Sequence, residues 1–101
     1  MKTERTYPRH DNVTFRFAGT EEDTYLTGTV LFRDGEMVLD ILGGDGPYLI
    51  IGKACKHWFE GTNSSKKGRN EVTAKWAKVG EGYVGTWIEH DNEFLFRFDT
   101  D

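Results

Sequence analysis

One hairpin is written twice in this chain. Residues 28–41 read Gly-Thr-Val-Leu-Phe-Arg-Asp-Gly-Glu-Met-Val-Leu-Asp-Ile, and residues 85–98 read Gly-Thr-Trp-Ile-Glu-His-Asp-Asn-Glu-Phe-Leu-Phe-Arg-Phe, an offset of 57. Each copy has Gly-Thr, an extended run, a two-residue Asp-Gly or Asp-Asn turn, then Glu and a second extended run. Asp-Gly and Asp-Asn suit a type I′ turn, which needs positive φ at both central residues. A two-residue loop then pairs Phe32 with Met37, Val30 with Leu39 and Gly28 with Ile41 on one face. The same arithmetic pairs Glu89 with Phe94, Trp87 with Phe96 and Gly85 with Phe98. Each hairpin has one apolar face, and each sets a glycine against a large apolar residue. A glycine inside a strand marks a bend or a close approach. Two at equivalent positions predict a sheet that curls closed.

Composition agrees. Of 101 residues, 14% are aromatic and 12 are glycine, with only two prolines. Aromatic and β-branched side chains suit a pleated surface, and glycines suit tight turns. No segment keeps a 3.6-residue apolar period, so little or no helix is expected. The chain divides into a polar tail over residues 1–11 and a single domain over 12–101. Strands are expected around Val13–Phe17, in each written hairpin, and over Glu71–Val79. A further stretch from Tyr48 to Glu60 reads as one strand bent at Gly52. The fold class is all-β: an antiparallel up-and-down meander of about seven strands closing into a small barrel, with a β-sandwich as the alternative.

Charge and cysteine content exclude several classes. A net charge of −4 opposes general nucleic-acid binding, which relies on Lys and Arg. No apolar run approaches membrane-spanning length, and the charged start lacks the apolar core of a signal peptide. One cysteine forms no internal disulfide, which together with that start predicts a cytoplasmic protein. Gly43-Gly44-Asp45-Gly46-Pro47 leads into another strand rather than a helix, so it reads as a hairpin turn and not a phosphate loop. Gly61 to Asn70 holds Lys66, Lys67 and Arg69 with no acid, the composition of a solvated loop, with contact to an anion as the alternative.

Few residues suggest chemistry. Cys55 and His57 are two apart, so on one strand they share a side and form half a dyad or half a metal site. A zinc site needs three or four ligands, and the other histidines, His10 and His90, lie elsewhere. No metal and no cofactor is expected, and the simpler reading is a small buried Cys55 beside a structural His57. Glu89 stands on the core face, in the slot that Phe32 fills in the first hairpin. A carboxylate there sits either at the barrel mouth or buried with a partner, where it would anchor a ligand. On the outer face, Leu31/Val38 and Ile88/Leu95 form apolar pairs ringed by charge, the composition of an association surface, and predict a homodimer.

Inward aromatics on short antiparallel strands, with Gly85-Thr86-Trp87, resemble the calycin group of small β-barrels, the lipocalins and avidins. Those families carry Gly-x-Trp on the first strand, whereas here it lies near the C-terminus. The resemblance implies that Trp87 plugs or lines the barrel. The leading functional expectation is a soluble barrel that binds a small apolar or aromatic ligand through Trp58, Trp76, Trp87, Phe94, Phe96 and Phe98. Tyr48 or Tyr83 stands at the rim, with Glu89 as the polar anchor. A barrel this small can also be filled by those rings. The alternatives are a homodimeric interaction module with a filled core, and an enzyme using Cys55, His57 or Glu89.

Overall fold

The computed structural model describes residues 8–43, 47–65 and 71–100. Eight strands run in order: β1 (Arg9–Phe17), β2 (Thr24–Arg33), β3 (Glu36–Leu42), β4 (Tyr48–Cys55), β5 (Trp58–Thr62), β6 (Val72–Val79), β7 (Gly82–Glu89) and β8 (Asn92–Asp99). Each pairs antiparallel with the next, and β1 pairs with β8, so the meander closes into a barrel. The sandwich alternative is excluded. This is the architecture that the calycin resemblance implies. No helix among the described residues is long and apolar enough to cross a membrane.

The first written hairpin keeps its expected register throughout, from Arg33 opposite Glu36 to Gly28 opposite Ile41. Of its two central turn residues, only Gly35 has positive φ, at 74°. The second hairpin is displaced. Its turn residues are His90 and Asp91, both in the left-handed region at φ 53° and 63°. Trp87 therefore faces Phe94, and Gly85 faces Phe96, two residues from the expected partners. A slip of two preserves the faces, so the inward set survives the error.

The eighth strand arises at Lys56-His57, which turns the chain between Cys55 and Trp58. Lys56 takes φ 54° although it carries neither Gly, Asn nor Asp chemistry. At the other terminus β1 begins at Arg9, within the segment read as tail. There Asn12, at φ 58°, forms a bulge between His10 and Val13. The seam with β8 is short: Arg16 faces Arg97, Phe17 faces Phe96, and the Ala18 amide donates to the Leu95 carbonyl at 2.9 Å.

Inward side chains fill the middle of the barrel. Trp76 is 1% exposed, and its indole N–H donates to the Met37 sulfur at 3.1 Å. Gly52 and Gly85 make room for it. A Cβ on Gly52 would lie 2.3 Å from the Trp76 ring, and one on Gly85 would lie 2.6 Å from the Trp76 Cα. These are the close approaches that strand glycines signal. Burying a large apolar side chain contributes roughly 1.5–3 kcal/mol, whereas exposed ion pairs contribute little, so this core holds the barrel shut.

The two ends differ. At the end holding the β2–β3, β4–β5 and β6–β7 turns, aromatic rings stack into a plug. Phe15 packs on Phe98 at 4.8 Å, Phe98 on Tyr83 at 5.1 Å, and Tyr83 on Phe32 at 6.3 Å. His10 meets Phe32 edge-on at 5.8 Å. The opposite end carries the β7–β8 turn and, among the described residues, is open.

Candidate functional site: the barrel mouth

The alternation that sends Val13 and Phe15 into the core makes Phe17 the last inward residue of β1. Thr24 and Leu26 are the first inward residues of β2, and Tyr48 is the first of β4. On β7, Trp87 and then Glu89 point inward, and Phe94 does so on β8. All of these ends lie at the open side and surround a cavity of about 320 Å³, completed by Ala18, Gly19, His90 and Asn92. Ligand pockets begin at roughly 300 Å³, so the space suits one small molecule.

Trp87 forms the floor. It is 2% exposed and meets Phe17 edge-on at 5.1 Å and Tyr48 edge-on at 5.2 Å. Edge-to-face contacts of this kind hold rings in defined orientations. The Glu89 carboxylate sits above the floor. Its Oε1 accepts the Trp87 indole N–H at 2.9 Å, and its Oε2 accepts the Tyr48 hydroxyl at 3.0 Å. Glu89 is half-buried, so it is at the mouth and also hydrogen-bonded by neighbours. The two alternatives raised for it are joined in one position.

The β1–β2 loop forms one rim. Asp23 accepts Arg16 Nε at 2.6 Å through one oxygen and the Gly19 amide at 3.2 Å through the other. The hydrogen bond from Arg16, followed by that from Gly19, holds the Asp23 carboxyl below its ordinary value. On another side, Asn63 fixes the start of β4. Its Oδ1 accepts the Leu49 amide at 3.0 Å and the Ser65 amide at 3.1 Å, while the Ser64 amide donates to the Leu49 carbonyl at 2.7 Å. Tyr48 is thereby held next to an anchored residue. Lys66, Lys67 and Arg69, the basic part of that loop, lie outside the described residues.

Of the residues nominated from sequence, the mouth brings together Tyr48, Trp87, Phe94 and Glu89. Trp76, Phe96 and Phe98 belong to the packed core, and Tyr83 to the plug. Trp58 is a correction. It lies on the outer wall, where its indole N–H donates to Glu60 at 3.2 Å and Lys75 Nζ sits 5.0 Å from its ring. The inward residue is Phe59, stacked on Trp76 at 6.1 Å. A two-residue turn reverses the inward phase, so Ala54 faces Phe59 and not Trp58. Phe17 and Leu26 are the wall residues that sequence reasoning passed over. The signal was their place at strand ends, which names a mouth only after the barrel closes.

The enzyme candidates do not converge. Cys55 ends β4 facing outward opposite Trp58, and His57 stands in the turn, exposed rather than on a shared strand. Glu89 is at the other end of the barrel. Burial first, and then hydrogen bonding to Glu60, push the Cys55 thiol above its ordinary value, the reverse of what a nucleophile needs. Among the described residues no group of three or more His, Cys, Asp or Glu is placed to hold a metal ion.

The outer apolar pairs also fall apart as a single patch. Leu31 does face Val38, but Val38 is only 8% exposed. Ile88 faces Glu93, and Leu95 faces Thr86. β1 separates the two groups on one side and β4–β6 on the other. No protein-family model, curated protein or solved structure matches this chain, so the barrel and its mouth carry the functional argument.

Proposed function

We propose that this protein binds one small apolar or aromatic molecule at the open mouth of its barrel. The observation that carries the reading is the cavity of about 320 Å³ whose floor is Trp87 and whose polar point is a doubly hydrogen-bonded Glu89. Phe17, Leu26 and Phe94 supply apolar walls, and Tyr48 both walls the site and orients the carboxylate. A concave, mostly apolar space with a few fixed polar groups is the usual form of a ligand site. The ligand sits above the aromatic core and does not thread it, because Trp76, Phe96 and Phe98 fill the interior.

Native mass spectrometry of the purified protein tests this. Added mass that disappears on denaturation is expected, and it should be absent from Thr24→Trp, which sets an indole across the mouth at an exposed position. Added mass that persists in Thr24→Trp places the ligand elsewhere. A clean dimer with no added mass favours the association module instead.

A further inference from the structure

We infer that two copies of this chain pair face to face through the outer wall of β7 and β8, with Glu93 of each copy meeting Arg97 of the other. The inference stands apart from the ligand reading, because these wall residues point away from the cavity. Among the described residues six large apolar side chains are exposed, and four of them, Val79, Val84, Ile88 and Leu95, lie on β6, β7 and β8. Singly exposed apolar residues are ordinary, whereas a cluster rimmed by charge marks an association surface. Leu95 is 59% exposed and stands opposite Thr86, so it lies diagonal to both Val84 and Ile88.

The charges say what covers the cluster. Glu93, Leu95 and Arg97 alternate with the inward Phe94, Phe96 and Phe98, so they form one outer row with a leucine between an acid and a base. Among the described residues neither Glu93 nor Arg97 has an ion-pair partner. Arg16, which faces Arg97 across the seam, is held by Asp23 at 2.6 Å. The acidic end of the row is reinforced by Glu21 and Glu22, which line one groove with Glu93 and Leu95.

A two-fold axis lying across β8 at Leu95 reverses that row. It sets Leu95 on its own copy and each Glu93 against an Arg97, so both ion pairs form at once. The same axis sets Val84 against Ile88 on β7, because Val84 faces Arg97 and Ile88 faces Glu93. Lys75, the like charge nearest the axis on β6, leans over the Trp58 ring at 5.0 Å, toward β5 and out of the contact. Both walls are convex, so Asp99 at the end of β8 also falls outside it. Such walls touch over few strands, and the contact falls short of the roughly 800 Å² per partner of a standard interface. The dimer is therefore expected to dissociate on dilution.

Sedimentation velocity of the full chain, from low micromolar to near-millimolar concentration, tests this. A monomer–dimer equilibrium weakened by added salt is expected. Arg97→Glu sets acid against acid, and Glu93→Arg sets base against base, so each should weaken the dimer at least about tenfold. The double exchange, Glu93→Arg with Arg97→Glu, should restore it. The two single variants, mixed in equal amounts, should pair with each other more tightly than either does with itself. Damage to the fold of either variant cannot produce that result.

A chain that stays monomeric throughout overturns the inference. So does a dimer that both single variants keep, or mixed variants that fail to pair although thermal unfolding shows both to be folded.

Discussion

Tyr48 and Glu89, 41 residues apart in the chain, are joined across the open end of the barrel by a hydrogen bond of 3.0 Å. Tyr48 begins β4 and Glu89 ends β7, so the bond spans the mouth instead of following the sheet. It ties β4 to β7 at the site and gives the second carboxylate oxygen a donor of its own, beside Trp87.

Removing the Tyr48 hydroxyl should be measurable. Tyr48→Phe keeps the ring against Trp87 and deletes the hydroxyl, so the expected loss in unfolding free energy is about 1–2 kcal/mol. Urea denaturation gives the number, with the Trp87 indole resonance reporting that Glu89 has lost one of its donors. An unchanged midpoint together with an unchanged resonance would show that the bond is idle.

Gly52 and Gly85 both accommodate Trp76, but by different atoms, and double substitution separates them. A Cβ on Gly52 meets the far edge of the indole, whereas one on Gly85 meets the Lys75 carbonyl at 1.9 Å and the Trp76 backbone. Each alanine alone should cost at least about 1–3 kcal/mol by overpacking. Trp76→Phe trims the atoms that collide at Gly52, so it should offset much of Gly52→Ala and none of Gly85→Ala. Thermodynamic cycles on the two pairs check this. Equal coupling in both would mean that the indole is not what Gly52 admits.

The Asp23 rim contact predicts a defined acid sensitivity. Its folded carboxyl titrates below the ordinary value of 3.8, owing chiefly to the Arg16 hydrogen bond. A depressed acid stabilises the fold fully above its unfolded value and loses that contribution as pH falls through the folded one. Stability measured by thermal unfolding from pH 6 down to pH 2 should therefore fall in that low range, and Asp23→Asn should flatten this part of the profile. A variant profile parallel to that of the unaltered protein removes Asp23 from the account.

Cys55 should be a poor nucleophile. Its thiol is raised above 9.0 by burial and by Glu60, so alkylation by iodoacetamide at neutral pH is expected to be slower than that of free cysteine. Glu60→Gln should speed the reaction. Rapid alkylation of the native protein would revive the catalytic reading of this residue.

Much of the wall was legible because strand alternation survives errors of two. The second hairpin turns at His90-Asp91 and not at Asp91-Asn92, yet Trp87, Phe94, Phe96 and Phe98 remain inward. The turn at Lys56-His57 was a different kind of error. Nothing in those side chains advertises a turn, and missing two residues of reversal exchanged Trp58 for Phe59 on the inner face. The mouth was half legible. Trp87, Tyr48, Phe94 and Glu89 carried signals of their own, whereas Phe17, Leu26 and the cross-barrel bond depend on closure, which brings together residues with no local relationship.

The repeated hairpins, β2–β3 and β7–β8, stand five strands apart around the wall. An odd number of antiparallel steps reverses direction, so the copies present their turns at opposite ends. At the offset of 57, Phe32 in one copy is matched by Glu89 in the other, each on the inner face near its turn. In the first, an apolar ring packs with Tyr83 and His10; in the second, a half-buried carboxylate accepts from Trp87 and Tyr48. One position in a duplicated motif thus gives the molecule an inside bottom and a lip, and makes it a cup rather than a tube.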